Sequence, residues 1–308
     1  MSRIIVYVKL LLTAVFWGGT FIAARIVAQN AGPFTASFLR FAVASLFLVC
    51  ITIRLEGGIP SLNKRQIVAV ILLGMTGVFA YNVFFFAGLK TITASRASVI
   101  VAMNPIFIAL FAHAFFKEKL TRVNVIGILL SVSGAIVVIT RGSPLAILQE
   151  GLGTGELYIL GCVASWVLYS LIGKKTMKDM SPLTAVTYSC LIGGILLLFP
   201  ACMEGMLDDM AGYRAVDWLG IFYLGFFGSA FGFTWYYEGI QKIGASKASV
   251  FINFVPVSAI ILAYLILKER LGLSLITGAI MVISGAYLTN RKRQDMIEKR
   301  KNAKTDTP

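Results

Sequence analysis

The sequence predicts an all-α polytopic membrane protein with ten transmembrane helices in two inverted five-helix repeats. Three observations predict this fold class: the chain is too apolar for a soluble protein, it divides into ten apolar runs, and its second half repeats its first. A helix needs roughly 20 apolar residues to cross a bilayer, so each run is close to the length of one span.

The composition indicates that lipid is part of the solvent. Of 308 residues, 58% are hydrophobic and 14% are charged, and the mean hydropathy is +0.84. Soluble proteins are usually about half apolar and about a quarter charged, so one interior cannot bury this excess. The four cysteines stand singly in apolar runs, without a C-x-x-C pair. Neither a zinc site nor a disulfide framework is therefore predicted.

Ten apolar runs follow one another along the chain. The predicted spans are 5–27, 33–54, 66–88, 94–115, 123–140, 154–173, 182–203, 216–237, 246–267 and 272–289. The segments between them hold glycines, asparagines and charges, as in Lys117-Glu118-Lys119. No run alternates apolar and polar residues with a period of two, which argues against a β-barrel.

The placement of lysine and arginine predicts that both termini are cytoplasmic. With the N-terminus inside, 20 of the 28 lysines and arginines fall on the cytoplasmic side, 7 fall outside, and Arg40 lies within a span. Seven of the 20 belong to residues 291–308, which we expect to be a disordered basic tail that contacts anionic lipid. The sequence thus predicts a multi-pass protein of the cell membrane, either a plasma or an inner membrane.

The second half of the chain repeats the first with a shift of 151 residues. From Gly88 to Arg141 the alignment needs no gap and gives 16 identities in 54 positions. Pro105 falls on Pro256, and Lys117-Glu118-Lys119-Leu120 falls on Lys268-Glu269-Arg270-Leu271. With a shift of 149, Trp17 falls on Trp166. The repeat predicts a first domain at 1–142, a second at 143–290 and the tail at 291–308.

The repeat unit contains five spans, and this odd number determines the geometry. The second copy must enter the membrane from the opposite side, so the two halves are inverted about an axis in the membrane plane. Inverted repeats are typical of secondary transporters, whose substrate site lies near the midplane between the halves. A duplicated scaffold that transports nothing is the alternative.

Several motifs occur in a fixed order along the chain, and some of them have matches in the second half. They are Phe16-Trp17-Gly18-Gly19, Leu39-Arg40-Phe41, Ala94-Ser95 with Asn104-Pro105, Lys117-Glu118-Lys119-Leu120, and the matching Pro256 and Lys268-Glu269-Arg270-Leu271. Over residues 5–290 the chain resembles the drug/metabolite transporter (DMT) superfamily, specifically its EamA-type ten-helix transporters. The resemblance implies a carrier of small metabolites, often amino acids and often an exporter. It also implies a central cavity lined by helices 1, 3, 4, 6, 8 and 9, with helices 5 and 10 at the periphery.

Polar and aromatic residues inside the spans are the candidates for lining that cavity. Aromatic rings together with amide and hydroxyl groups suit a neutral or zwitterionic solute with apolar bulk. The candidates are Trp17, Thr20, Arg40, Tyr81, Asn82, Asn104, Pro105, Trp166, Tyr169, Phe233, Tyr237, Asn253 and Pro256. The alternatives are that aromatic residues near span ends form interfacial belts and that the prolines and amides only shape the bundle.

Three charged residues are further candidates, and two of them, Arg40 and Glu118, have a second interpretation. Arg40 lies about a third of the way into its span, where it could attract a carboxylate or else extend toward the membrane surface. Glu238 and Glu118 are the candidates for proton coupling, although Glu118 could instead stabilise a helix end. The first span has no glutamate, which the small multidrug-resistance branch of the resembled superfamily uses for cation and proton exchange.

The sequence predicts a transporter rather than an enzyme. It contains no phosphate-binding G-x-x-x-x-G-K-[ST] loop, and its spans offer only scattered amides and hydroxyls, one arginine and one histidine. The leading hypothesis is export of amino acids or similar small metabolites by alternating access about a central cavity. The alternatives are a non-transporting scaffold or sensor, and a drug or cation carrier coupled to protons.

The expected partners are a small-molecule substrate and the lipid bilayer, with no nucleic acid, no cofactor and no metal. Runs 5 and 10 each carry small residues that allow close helix contact. These are Gly127, Ser131, Ser133 and Gly134, and Gly278, Ser284, Gly285 and Ala286. The pattern leaves open whether they pack within one chain or between two chains of a homodimer.

Overall fold

The structure is a computed structural model that describes residues 3–104, 106–108, 110–111, 122–140, 142–143, 153–243, 248 and 251–288. Three sequence-based predictions lie outside the described residues. They concern Pro105, Glu118 and the tail 291–308.

The described residues form a bundle of helices without strands. The helices are α1 Arg3–Val27, α2 Pro33–Glu56, α3 Lys64–Thr91, α4 Ala94–Val101, α5 Arg122–Ile139, α6 Thr154–Thr176, α7 Pro182–Met203, α8 Ala215–Ile243, α9 Phe254–Leu267 and α10 Leu273–Leu288. A short helix, Met206–Met210, lies between α7 and α8, where the sequence suggested only a loop.

Seven of these helices are long and apolar enough to span a membrane: α1, α2, α3, α5, α6, α7 and α8. Within the described residues α4, α9 and α10 are shorter, so the predicted count of ten spans is not confirmed. The chain forms a turn at Ala102–Met103 after α4 and another at Asn253 before α9. Positions 102 and 253 are equivalent in the repeat, so both halves interrupt the same helix. Interrupted helices beside a central site are a feature of inverted-repeat transporters.

The interruption changes the interpretation of Pro256. The sequence predicts a proline in mid-span that kinks a continuous helix. In the structure α9 begins at Phe254, so Pro256 lies in its first turn. Backbone N–H groups in the first turn have no carbonyl partner within the helix, so proline, which lacks an N–H, costs no hydrogen bond there. The fixed backbone angle of proline also suits the start of a helix.

Helices α2 and α7 pack antiparallel, and each stabilises the start of the other. Glu204, just after α7, accepts a hydrogen bond from the backbone N–H of Thr35 at 2.7 Å. Glu56, at the end of α2, accepts from the hydroxyl of Thr184 at 2.5 Å and from that of Ser181. A carboxylate at a helix N-terminus satisfies free N–H groups or orders the capping hydroxyl, and it complements the helix dipole.

We expect Glu204→Ala and Glu56→Ala each to lower the free energy of unfolding by about 1 kcal/mol, because each substitution removes one cap. Apparent melting temperature in detergent measures the effect. Asp208→Ala is the matched control, since Asp208 is exposed near Glu204 and its side chain forms no hydrogen bond or ion pair with a described residue. Equal melting temperatures for Glu204→Ala and Asp208→Ala would contradict a capping role.

Helices α5 and α10 pack through the small residues that the sequence singled out. A Cβ atom placed on Gly134 would lie 2.7 Å from the carbonyl oxygen of Gly278, and one on Gly278 would lie 2.6 Å from that of Gly134. The hydroxyl of Ser131 donates to the carbonyl of Val282 at 3.2 Å. The small residues therefore serve a contact within one chain. The repeat relates Gly134 to Gly285 and Gly127 to Gly278, and a Cβ atom on Gly285 would lie 2.5 Å from the carbonyl oxygen of Gly127.

Candidate functional site

A cavity lies between the two halves of the bundle. The cavity volume is about 50 Å³. This is room for a few water molecules, because one water needs roughly 10–15 Å³. The cavity is therefore contracted, and a solute of amino-acid size would require the helices to separate.

The cavity wall brings together residues from seven helical segments. Lining residues are Trp17, Thr20, Phe21, Arg40, Tyr81, Phe85, Val101, Asn104, Trp166, Phe233, Ile252 and Val255. They belong to or directly flank α1, α3, α4, α6, α8 and α9, the helices implied by the resemblance, and Arg40 adds α2. Seven predicted candidates are among them: Trp17, Thr20, Arg40, Tyr81, Asn104, Trp166 and Phe233.

The other described candidates lie outside this wall. Tyr169 and Tyr237 pack behind it, with Tyr169 5.3 Å from Trp166 and 6.1 Å from Tyr237 between ring centroids. Asn82 is fully buried and contacts Arg40. Asn253 and Pro256 are buried next to the lining residues Ile252 and Val255.

Two tryptophans meet at the centre of the cavity. The rings of Trp17 and Trp166 lie edge to face, 5.8 Å apart at 84°. These residues are repeat equivalents, so the axis that relates the two halves passes close to this contact. Phe233 packs against both of them, at 5.9 and 5.6 Å. Edge-to-face pairs stabilise by about 1 kcal/mol and leave ring faces available for an apolar solute.

Helices α3 and α8 each contain a π-helical segment in the middle, at Gly74–Ala80 and Leu224–Phe231. The N–H of Tyr81 bonds to the carbonyl of Thr76, and the N–H of Gly232 bonds to that of Phe227, five residues back in both cases. These bonds occupy equivalent positions in the repeat. π-Helical turns are rare and occur frequently at functional sites.

Side chains bond to carbonyls of the π-helical segments. Asn82 donates to the carbonyls of Gly77 and Val78 at 3.2 and 2.9 Å. In the second half the indole N–H of Trp17 donates to Gly228 at 2.9 Å. The equivalent Trp166 forms no hydrogen bond of this kind with any described residue. The two halves therefore differ at the centre of the molecule.

Arg40 bridges the two π-helical segments. Its Nε donates to the hydroxyl of Ser229, inside the second segment, at 2.9 Å, and its Nη1 donates to Oδ1 of Asn82, just after the first, at 2.8 Å. Its side chain is almost entirely buried, with 3% of the residue exposed. This geometry excludes the interpretation that Arg40 extends to the membrane surface.

The charge of Arg40 has no carboxylate partner among the described residues. Its two bonds go to neutral groups, and its guanidinium lies 5.3 Å from the ring of Phe41. A central arginine costs roughly 2.5–3.5 kcal/mol on insertion scales, and intramembrane charges are usually paired or functional. The third nitrogen, Nη2, forms no hydrogen bond with a described residue, and Arg40 is one of the residues that line the cavity.

Asn104 is the second polar group of the cavity. It is 4% exposed, and its Oδ1 atom is buried without a hydrogen-bond partner. A buried acceptor without a donor costs free energy, so it is either bound by water or prepared for a ligand. Asn253, in the second interrupted region, similarly has an unpartnered Nδ2 atom.

Glu238 lies away from the cavity, near the end of the bundle where α1 begins. Its carboxylate pairs with Nζ of Lys9 at 2.8 Å, and Lys9 lies 5.6 Å from the ring centre of Trp235. The pair joins α1 to α8. A role of Glu238 in proton coupling stays a prediction.

At the opposite end of the bundle, Glu269 accepts bonds from the N–H groups of Ala94 and Ser95 at 2.9 and 3.2 Å. The hydroxyl of Ser95 bonds to the same carboxylate at 2.5 Å. Glu269 therefore caps α4, as the charge pattern suggested for the glutamates of this motif. Within the described residues no group of three histidine, cysteine or acidic side chains could hold a metal ion.

Sequence reasoning missed several residues of this site. Ser229 was not predicted, nor were the lining residues Phe21, Phe85, Val101, Ile252 and Val255. Ser229 follows Gly228, whose equivalent is Gly77, and this repeated glycine was the available signal for a special segment. The apolar lining residues had no signal, because the sequence does not distinguish cavity-facing from lipid-facing residues in an all-apolar helix.

Comparison with known proteins agrees with this architecture. The model of the EamA-like transporter family matches residues 4–140 and 153–291. The chain is 31% identical to the uncharacterized transporter YyaM of Bacillus subtilis (strain 168), over 92% of this chain and 93% of that one. It is 26% identical to a probable terminal-alkyne amino-acid exporter of Streptantibioticus cattleyicolor, over 92% of each chain. A crystal structure with 19% identity covers 94% of this chain and 99% of its own, with a TM-score of 0.63, which shows a shared fold.

Proposed function

Because the chain belongs to the EamA-like transporter family, we propose that it exports small organic metabolites, amino acids among them, by alternating access about the central cavity. It is a multi-pass membrane protein of the drug/metabolite transporter superfamily. The proposal places both termini in the cytoplasm and the chain in the cell membrane. It takes 1–142 and 143–290 as the two halves that exchange conformations.

The observation that carries the proposal is the contact between Trp17 and Trp166. Equivalent residues of two inverted halves meet at the centre of a cavity, yet only Trp17 bonds to the adjacent π-helical segment. An inverted-repeat carrier adopts different conformations in its two halves at any moment, and transport exchanges them. A difference of this kind between equivalent residues is what such a carrier should have.

The difference suggests how the exchange takes place. In the other state the indole of Trp166 would approach Gly77 while Trp17 releases Gly228. The carbonyl of Gly77 already has Asn82 as a partner, whereas the equivalent of Asn82 in the second half is Phe233, which cannot donate. The two states therefore differ in hydrogen bonding, and solute binding can shift the balance between them.

The arrangement of charge favours a carrier without obligatory proton coupling. Among the described residues no acidic side chain lines the cavity, and Glu238 is paired with Lys9. The buried charge of Arg40 also disfavours a cationic drug as the solute. Support for export of amino acids comes from the relative in Streptantibioticus cattleyicolor, whose name describes a probable exporter of that class.

Flux into proteoliposomes that contain the purified full chain tests the proposal. We expect saturable flux of at least one member of a panel of labelled amino acids and related metabolites, and exchange against the same solute loaded inside. A pH gradient should leave the rate unchanged, as should Glu238→Gln. Liposomes with heat-unfolded protein are the control.

Two outcomes would contradict the proposal in different ways. Flux that is driven by the pH gradient and lost in Glu238→Gln would replace the uncoupled carrier by a proton-coupled one. No flux of any solute by folded protein would favour a scaffold or sensor.

A further inference from the structure

We propose that the carried solute has a net charge of −1, with a carboxylate bound by Arg40, a hydrogen-bond donor bound by Asn104, and an apolar body between the two. The inference rests on the proposed transport function and narrows it: among small organic metabolites, the cavity prefers carboxylic acids without an ammonium group to the amino acids themselves. Its chemical class is a substituted carboxylic acid without a free ammonium group, such as an N-acylated or deaminated relative of an amino acid.

The first argument is the net charge of the cavity. Arg40 contributes one positive charge, and no carboxylate among the described residues pairs with it. The remaining wall consists of neutral side chains, most of them aromatic or aliphatic. A charge in such surroundings is poorly screened, so it interacts strongly with an opposite charge that enters. A monoanion neutralises the cavity, whereas a cation would double its charge.

The second argument is the geometry of the guanidinium. Nε and Nη1 are held by Ser229 and Asn82, which orient the planar group, and Nη2 has no hydrogen-bond partner in the described chain. A planar guanidinium presents donors in a fixed fork that matches a carboxylate. Since its orientation is already fixed, binding an anion requires little further ordering of the side chain.

The third argument separates an anion from a zwitterion. The ammonium group of an amino acid would need an acidic residue or a set of free carbonyls, and the part of the cavity wall that the structure describes contains no acidic residue. The neutral Oδ1 atom of Asn104 is the available buried acceptor, and it is unpartnered. One neutral acceptor suits the N–H of an amide or the O–H of a hydroxyl, which carry no charge to be compensated.

The position of Arg40 also connects binding to movement. Its two protein bonds reach both π-helical segments, one in each half of the molecule. A carboxylate that draws the guanidinium toward the cavity changes both contacts at once. The solute can therefore bias the equilibrium between the two states, which a carrier requires of its substrate.

Four ligands that all carry the side chain of phenylalanine test the proposal with the wild-type protein. They are N-acetylphenylalanine, with charge −1; phenylalanine, a zwitterion; N-acetylphenylalaninamide, neutral; and phenylalaninamide, with charge +1. Apparent affinity is measured by competition in flux assays and by the ligand-induced rise in melting temperature in detergent. We expect N-acetylphenylalanine to bind at least about 10-fold more tightly than phenylalanine, and the neutral and cationic amides to bind more weakly still.

Substitutions of Arg40 test whether this residue causes the tighter binding of the anionic ligand. Arg40→Gln should lower the apparent affinity for N-acetylphenylalanine at least about 30-fold, as expected for removing one partner of a buried charge pair. The affinity for N-acetylphenylalaninamide should stay nearly unchanged. Arg40→Lys keeps the charge but not the fork, and should recover part of the loss. Asn104→Ala should lower the apparent affinity for N-acetylphenylalanine but not for 3-phenylpropanoate, which lacks the N–H group.

The possible outcomes are distinguishable. Phenylalanine binding as tightly as N-acetylphenylalanine, or better, would overturn the anion proposal and leave the transport function standing. Equal weakening of all four ligands by Arg40→Gln would assign Arg40 a structural role and also overturn the proposal. No binding and no flux of any ligand would count against both the proposal and the transport function.

Discussion

Replacement of Asn82 by leucine should lower the free energy of unfolding by about 3 kcal/mol and abolish transport. The substitution removes three hydrogen bonds at once: one from Arg40 and two to the carbonyls of Gly77 and Val78. Each buried group left without a partner costs about 1–3 kcal/mol, more when it is charged. Hydrogen bonds between helices in membrane proteins average only about 0.6 kcal/mol. We therefore expect each of the three groups to cost an amount near the lower end of the range of about 1–3 kcal/mol.

The loss of transport has a separate cause. Asn82 orients the guanidinium of Arg40 and satisfies the first π-helical segment, so leucine would disturb the cavity even in molecules that remain folded. Apparent melting temperature in detergent and flux into proteoliposomes measure the two effects. Without Asn82, Arg40 keeps only its bond to Ser229.

Thr76→Ala is the matched control for Asn82. Thr76 lies in the same π-helical segment, and its hydroxyl bonds to the carbonyls of Leu72 and Leu73 in its own helix. It forms no hydrogen bond to a described residue of another helix. We expect wild-type melting and flux from this variant. If Asn82→Leu matched Thr76→Ala in both measurements, the hydrogen bonds at Arg40 would have no role in stability or transport.

Gly134→Ala should lower the free energy of unfolding by about 2 kcal/mol without changing the affinity for solute. The added Cβ atom would lie 2.7 Å from the carbonyl oxygen of Gly278 and 2.9 Å from the N atom of Val282. Both are backbone atoms, so α5 and α10 must move apart. Overpacking of this kind costs about 1–3 kcal/mol. The affinity should not change, because no residue of α5 or α10 lines the cavity.

Gly194→Ala provides the matched control for this substitution. Gly194 also lies within a helix, but its nearest neighbour for an added Cβ atom is the Cβ of Phe41 at 3.8 Å, an ordinary contact. Alanine has the higher helix propensity, so this variant should be as stable as wild type or more stable by up to about 1 kcal/mol. A destabilisation of Gly194→Ala equal to that of Gly134→Ala would mean that the close α5–α10 contact is unimportant.

Much of the fold follows from the sequence because the responsible forces are local or repeat along the chain. Burial in lipid requires long apolar runs, and the repeat shift of 151 residues relates Gly134 to Gly285 and Gly127 to Gly278. Both expectations agree with the helices and contacts observed. The exceptions are the turns at 102–103 beside α4 and at 253 beside α9, which no apolar run reveals.

The candidate site was predicted less completely. Trp17, Trp166 and Arg40 stood out because a repeated tryptophan and an intramembrane charge are unusual in sequence. Ser229 and Phe85 did not stand out, since serine and phenylalanine are common in apolar helices and their role depends on which way the helix faces.

The sequence by itself determined that this chain is a helical membrane protein with two similar halves, since apolar length and internal similarity can be measured along one dimension. Only the tertiary structure decided that Arg40 bridges two π-helical segments without a carboxylate partner, and that Trp17 and Trp166 differ in their bonds. These properties depend on distances between residues more than 100 positions apart, such as Arg40 and Ser229. Such distances arise from helix packing, which hydropathy does not encode.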